Sequence, residues 1–190
     1  MPMKPKNVIL LSGGIDSCAC LHYISEEGGD ITGLYVDYGH PAATREKHQA
    51  EEVAKFYSTS FKVITLKSDC QFNAGEIVGR NAFFILVALM CAFQRDNSGK
   101  IILGIHKGTP YYDCSQSFLS SLQHLVSDQT NGRVMVRAPF ITWTKGEIWD
   151  YCKMKNVPVH LTYSCENGFD QPCNACASCR DLTTLYANEI

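Results

Sequence analysis

The stretch Asn7-Val8-Ile9-Leu10-Leu11-Ser12-Gly13-Gly14-Ile15-Asp16-Ser17 decides the fold. An apolar, branched run that ends in a Gly-Gly turn and passes into a helical pattern predicts a first strand feeding a phosphate-binding loop. Two residues without Cβ atoms let backbone N–H groups close around an anion. Ser12 and Ser17 add hydroxyl donors, and the loop delivers the anion to a helix N-terminus, where the partial positive charge lies. Asp16 is out of place in such a cradle unless a cation stands between carboxylate and phosphate. That points to a magnesium-bound polyphosphate.

Two other glycine motifs are excluded. No Gly-x-x-x-x-Gly-Lys-Ser/Thr follows the strand, and Gly-x-Gly-x-x-Gly is absent. The stretch resembles the Ser-Gly-Gly-x-Asp-Ser loop of the ATP pyrophosphatases, the PP-loop enzymes, which cleave ATP to AMP and pyrophosphate. The resemblance implies that Ser12, Gly13, Gly14, Asp16 and Ser17 hold the pyrophosphate of ATP together with Mg2+. The plainer alternative is an ordinary strand, turn and helix with accidental serines.

Outward from the loop, the chain alternates strand and helix patterns. Cys18 to Ser25 continues as a helix, Ile31 to Val36 is a second strand, Thr44 to Tyr57 an amphipathic helix and Phe61 to Leu66 a third strand. Lys67 to Val78 is a loop, and the apolar run Ala82 to Phe93 reads as a buried helix too short to span a bilayer. Ile101 to Gly104 and Val134 to Ala138 are further strands, separated by a helix from Ser115 to about Val126. Thr144-Lys145-Gly146-Glu147 is a capping box opening a helix that runs through Met154. The fold class is therefore α/β, a doubly wound, mostly parallel five-stranded sheet that binds nucleotides at the carboxyl ends of its strands. A boundary near Pro158 divides the chain into a nucleotide-binding domain, 1–157, and a cysteine-rich segment, 158–190, packed on it.

Composition sets bounds on function. At 190 residues with 45% hydrophobic and 19% charged residues, the chain is an ordinary globular protein. A net charge of −2 gives no electrostatic case for direct nucleic-acid binding. The basic start, Met1 to Lys6, is followed by too brief an apolar run for a signal peptide, and no membrane span is expected, so a cytoplasmic location follows. Without a secretory signal, ten cysteines imply metal or thiol chemistry rather than disulfides. Cys18, Cys20, Cys70, Cys91, Cys114 and Cys152 are scattered and read as small buried hydrophobes. Cys165-x7-Cys173-x2-Cys176-x2-Cys179 matches a closed, structural Zn2+ site, one per chain. The same thiolates also suit an iron–sulfur cluster, and a redox Cys-x-x-Cys would leave Cys165 without a role.

Several landmarks in order resemble one family. They are the Ser12–Ser17 loop, Asp37-Tyr38-Gly39, Gly79-Arg80-Asn81, Tyr112-Asp113-Cys114, Thr144-Lys145-Gly146-Glu147-Ile148 and Thr162-x-Ser164-Cys165 with its Cys-x2-Cys-x2-Cys-Arg tail. Together they are similar to QueC, the 7-cyano-7-deazaguanine synthases of queuosine biosynthesis, from Val8 to Arg180. The resemblance implies a homodimer that adenylates 7-carboxy-7-deazaguanine, converts it to an amide with ammonia, and activates the amide with a second ATP for dehydration to the nitrile. It places Val36 and Asp37 at the adenosine, Arg80 at phosphate or substrate, Asn81 at the helix start or substrate, and Asp113 at the guanidine-like edge of the base. Lys145 reaches the phosphates, and Asp16, Lys145 and Arg80 form the catalytic set. Each has a plainer alternative: Arg80 a solvated residue at a helix start, Lys145 a surface lysine, Asp113 an N-cap for the Ser115 helix. His40, His48 and His106 read as surface or loop residues.

The chain also departs from the family. Gly104-Ile105-His106-Lys107-Gly108-Thr109-Pro110-Tyr111 is short and lacks an aspartate, Ser115 replaces an arginine, and Lys67 to Ile77 is abbreviated. A wider mouth predicts poor nitrile formation, with the reaction ending at the amide or passing the carboxyl to an amine on a protein partner. QueC-like members of bacterial antiviral operons suggest that second outcome. A non-enzymatic, zinc-stabilised nucleotide-binding module is a further alternative, against which the intact loop argues.

Overall fold

The computed structural model describes residues 5–93 and 98–187; the first four residues of the basic start lie outside them. The elements are β1 (Lys6–Leu10), α1 (Ile15–Glu27), β2 (Asp30–Asp37), α2 (Ala43–Phe56), β3 (Ser60–Thr65), α3 (Arg80–Ala92), β4 (Gly99–Leu103), α4 (Gln116–Thr130), β5 (Val134–Arg137), α5 (Lys145–Met154) and α6 (Ala177–Ala187). Short 3-10 turns at Tyr112–Cys114 and Val159–Leu161 complete them. The five strands are ordered β3-β2-β1-β4-β5 and every pairing is parallel.

β1 is central because it is apolar on both sides. Its alternating side chains feed two cores: Ile9 packs with α1, α2 and α5, whereas Val8 packs with α3 and α4 on the opposite face. The segment after Pro158 supplies Val159, Leu161, Leu182 and Leu185 to the same core as α1 and α5. Cys18, Cys20 and Cys152 are buried there, and burial pushes the thiols of Cys18 and Cys152 up to about 12, so they act as inert hydrophobes.

Four expectations need correction. α1 begins at Ile15 rather than after the loop, so Asp16 stands on the first helical turn. α4 continues to Thr130, whose hydroxyl donates to the Val126 carbonyl (2.7 Å) and accepts from the Val134 amide (3.2 Å), joining helix end to strand start. Cys70 and Cys91 are exposed, not buried. The apolar run in α3 is a helix but not a buried one: Ile85 and Ala88 are covered, while Phe83, Leu86 and Met90 (75% exposed) face outward. A helix lying on a sheet covers one stripe only, and an all-round apolar composition does not change that geometry.

Gly13 joins loop to helix packing. At φ +79° a Cβ on it would lie 2.6 Å from the Glu46 carbonyl oxygen and 2.8 Å from the Ala50 amide of α2. Gly13→Ala is therefore expected to cost about 3 kcal/mol and to lower Tm by roughly 10 °C. Thermal unfolding measures it, and an unchanged Tm would contradict the packing of α2 against the loop.

Candidate active site and cysteine cluster

The crossover after β1 runs to one face of the sheet and that after β4 to the other, so a crevice opens where their carboxyl ends part. Gly104, just beyond β4, touches the first turn of α1: a Cβ there would lie 2.8 Å from the Asp16 carbonyl carbon. Around this contact lies a cavity of about 300 Å3. Ser12, Gly14, Asp16, Ser17, Val36, Arg80, Asn81 and Lys145 all line it. Gly13 lies just behind, against α2.

The loop holds itself in shape. The Ser12 hydroxyl donates to Ser17 Oγ (3.2 Å), the Ser17 hydroxyl donates to the Gly14 carbonyl (2.9 Å), and the Gly14 amide approaches Ser12 Oγ at 3.4 Å. The amides that open α1 have no partner within the helix, which leaves a ready anion site beside two hydroxyls. The expected capping box forms: the Glu147 amide donates to Thr144 Oγ1 (3.2 Å), and the Thr144 amide donates to Glu147 Oε2 (2.6 Å). It fixes the start of α5 so that Lys145 points across the cavity. Lys145 Nζ donates to both oxygens of Asp16, at 2.7 and 2.6 Å. Lys145 is thus no surface lysine; the two side chains are 24% and 23% exposed.

His106 lies in the loop after β4, one of the two places expected for it, but it is buried there and joins this pair. Its Nδ1 lies 2.8 Å from the Lys107 carbonyl, so Nδ1 carries the proton and Nε2 faces Asp16 Oδ2 at 3.8 Å. His40 is buried too, whereas His48 is exposed. The His40 ring stacks on Tyr38 with centroids 4.1 Å apart and an interplanar angle of 11°, and its Nε2 is 2.9 Å from Glu46 Oε2. Arg80 is half-buried rather than solvated and lines the cavity together with Tyr38. Burial opposes its charge, but Tyr38, Asp113 and Glu46 hold its pKa above the usual guanidinium value.

Asp37 and Asp113 are not among the lining residues. Asp37 Oδ1 accepts from the Gly39 amide (3.2 Å) and Oδ2 lies 3.8 Å from Lys47 Nζ. Asp113 does not cap α4, because Ser115 does, accepting from the Phe118 amide at 3.1 Å. Instead Asp113 secures the start of α3: its Oδ2 lies 3.4 Å from the Asn81 amide, and its carbonyl accepts from Asn81 Nδ2 (3.1 Å). Sequence reasoning missed Tyr38, His40, Glu46 and His106 as lining residues. The only available signal was their nearness to strand ends.

The tail closes the far wall. The Tyr163 amide donates to the Gly13 carbonyl (2.9 Å), and Arg45 pairs with Asp170. Ser164, Ser178, Asp181, Leu182 and Leu185 then line the cavity. Glu166 accepts from the Ser178 amide (3.0 Å) and hydroxyl (2.8 Å), which orders the first turn of α6. The sulfurs of Cys165, Cys173, Cys176 and Cys179 lie within 4.8 Å of one another, a set that suits a metal ion. Amides of Cys176 and Ala175 donate to Cys173 Sγ (3.3 and 3.5 Å) and pull that thiol down to about 6, toward the thiolate a metal requires. Among the described residues no helix is long and apolar enough to cross a membrane.

Comparison with known proteins agrees with this geometry. The chain matches the family model described as "Queuosine biosynthesis protein QueC" across residues 6–75 and 69–188. The 7-cyano-7-deazaguanine synthase of Prochlorococcus marinus (strain MIT 9215) is 32% identical over 217 residues, covering 98% of this chain and 96% of its own. That of Oceanobacillus iheyensis is 30% identical over 203 residues, covering 92% and 90%. Among solved structures, the U34-tRNA thiolase NcsA from Methanococcus maripaludis, with its 4Fe-4S cluster, superposes with a TM-score of 0.57 at 17% identity over 97% of this chain and 66% of that one. A predicted subunit of tRNA methyltransferase from Methanocaldococcus jannaschii gives 0.53 at 19%, over 78% and 74%. At such identities the likeness is one of fold.

Proposed function

The chain belongs to the QueC family, and from that premise we propose that it is an ATP-dependent ligase that adenylates 7-carboxy-7-deazaguanine and amidates it toward 7-cyano-7-deazaguanine. The observation that carries the proposal is the Ser12–Ser17 loop facing the Asp16–Lys145 pair inside one cavity. A carboxylate is a poor electrophile, and exchanging its oxygen for an AMP leaving group removes that obstacle. Charge then develops on the departing pyrophosphate, beside the unpaired amides of α1, the Ser12 and Ser17 hydroxyls and the Lys145 ammonium. These donors are held in place before reaction, so little reorganisation is needed.

Asp16 and the loop hydroxyls are hard oxygen donors that fit Mg2+, which supplies charge neutralisation at the phosphates when bound. Lys145 contacts both Asp16 oxygens, and each oxygen keeps a second lone pair with which the carboxylate can reach the ion. Cys165, Cys173, Cys176 and Cys179 fit one structural Zn2+: four thiolates fill a tetrahedral shell and leave no open position for catalysis. Val36 and Arg80 are suited to adenosine and to phosphate or substrate respectively, since both line the cavity. A protein amine as final acceptor is a second reading. It is favoured by the abbreviated segments, which supply Asn73, Ala74, Gly75, Thr109 and Tyr111 to the cavity.

Incubation with ATP, 7-carboxy-7-deazaguanine and ammonium, followed by mass analysis, tests both. AMP, pyrophosphate and the cyano product are expected for a synthase; accumulating amide, or mass added to a second protein, indicates the alternative acceptor. Absence of substrate-dependent AMP refutes the adenylation.

A further inference from the structure

We propose that His106, through its ring nitrogen Nε2, joins Asp16 in holding the divalent cation that accompanies ATP, and that this mixed nitrogen and oxygen site favours Mn2+ over Mg2+. The inference deepens the reading above, in which Asp16 and the loop bind ATP with such an ion, and adds one ligand to it. Two histidines among the described residues line the cavity, His40 and His106. His106 Nδ1 lies 2.8 Å from the Lys107 carbonyl oxygen, which can only accept, so Nδ1 carries the proton and Nε2 keeps its lone pair. Among the described residues no donor reaches Nε2, yet it is not one of the buried side-chain atoms left without a partner, so it stays open to the cavity. Its neighbour there is Asp16 Oδ2, at 3.8 Å.

At 3.8 Å no hydrogen bond joins the two atoms, and a cation that both can bind reconciles them. Adjacent ligand atoms on an octahedral ion with bonds of about 2.1 Å stand about 3.0 Å apart, so a small rotation of either side chain brings both onto one ion. The rest of the residue is arranged as in metal-binding histidines, whose other ring nitrogen donates to a backbone carbonyl that fixes tautomer and ring. The loop is itself pinned. The Thr109 hydroxyl donates to the His106 carbonyl (3.2 Å), and the Lys107 amide donates to the Trp143 carbonyl (2.9 Å), next to the capping box that aims Lys145. Gly104 permits the approach, since a Cβ there would meet the first turn of α1. His40 offers no comparable atom: its Nε2 lies 2.9 Å from Glu46 Oε2 and its Nδ1 is buried.

Lys145 decides when the ion can enter. Its ammonium rests on both Asp16 oxygens, so a bare second cation is repelled there. The phosphates of ATP bring the negative charge that lets two cations share one carboxylate. The ion is therefore expected only together with the nucleotide, whose phosphate oxygens and water complete its shell. Imidazole then changes which ion fits best. Mg2+ takes oxygen ligands almost throughout, whereas the first-row divalent ions accept imidazole as well, and Mn2+ is the most tolerant of oxygen among them.

The test supplies the full chain with one equivalent of Zn2+ for the cysteine cluster, then with Mn2+ and α,β-methylene-ATP, which keeps the polyphosphate and cannot be cleaved at the α–β link. Electron spin-echo modulation on the bound Mn2+ reads nitrogen bonded to the ion, and protein grown with 15N-histidine separates imidazole from adenine. The parent is expected to show a coupling that changes from 14N to 15N on labelling. His106→Gln is expected to lose it, and His40→Gln to keep it. The affinity for Mn2+ relative to Mg2+ should fall at least about tenfold in His106→Gln, since losing even an outer-shell partner of a metal site costs that much. If His106→Gln does not fold, the labelled parent and His40→Gln decide. Bound Mn2+ without histidine coupling, a coupling retained in His106→Gln or lost in His40→Gln, or an unchanged ion preference in His106→Gln overturns this inference alone. A parent that binds no Mn2+ with the analogue overturns the metal–ATP reading and this inference with it.

Discussion

Asp16→Asn is expected to lower pyrophosphate release by about 10²–10³-fold or more while circular dichroism stays unchanged. The asparagine has the size of the carboxylate and retains one acceptor for Lys145, so the first turn of α1 keeps its shape. What disappears is the negative charge that positions the Lys145 ammonium and offers oxygen to Mg2+. The two side chains are about a quarter exposed, so solvent screens the loss and the fold tolerates it. Lys145→Ala should also lower turnover, and the double variant should lose less than the two single losses summed, because the groups act as one unit. Pyrophosphate release at the parental rate by Asp16→Asn would falsify the assignment of the loop.

The second large effect concerns the cysteine cluster. Metal analysis of protein purified without added metal is expected to give close to one zinc per chain. Cys176→Ser or a strong chelator should lower Tm by about 10 °C and reduce soluble yield, since metal binding in such small segments is folding energy. The effect should reach the cavity as well. Cys179 sits in the first turn of α6, and the same helix sends Leu182 and Leu185 to the core and the cavity wall. Loss of the metal should therefore weaken ATP binding in whatever protein remains soluble. Iron in place of zinc, or no metal with unchanged stability, would sink the idea.

Much of the fold was legible from local pattern. Branched apolar runs at β1 and β4, the Gly13-Gly14 turn and the Thr144–Glu147 capping box each act over a few residues, so their chemistry is visible in order along the chain. Spacing likewise brought the four tail cysteines together on paper, and their sulfurs do converge. The α3 run was misjudged because composition reports how apolar a helix is, not which side of it a neighbour covers.

The sequence by itself determined the parallel α/β architecture, the anion-binding loop and the thiol set, because each is written in residues near one another or in a simple period. Only the tertiary structure decided the partners. That Lys145 closes on Asp16, and that Asp113 secures α3 rather than capping α4, both depend on elements distant in the chain meeting at one sheet edge. The tail forms the far wall for the same reason: its pairing with Gly13 and Arg45 exists only once the strands have set those groups side by side. Long-range pairing of this kind is selected by the free energy of the whole packed molecule, and no local residue pattern encodes it.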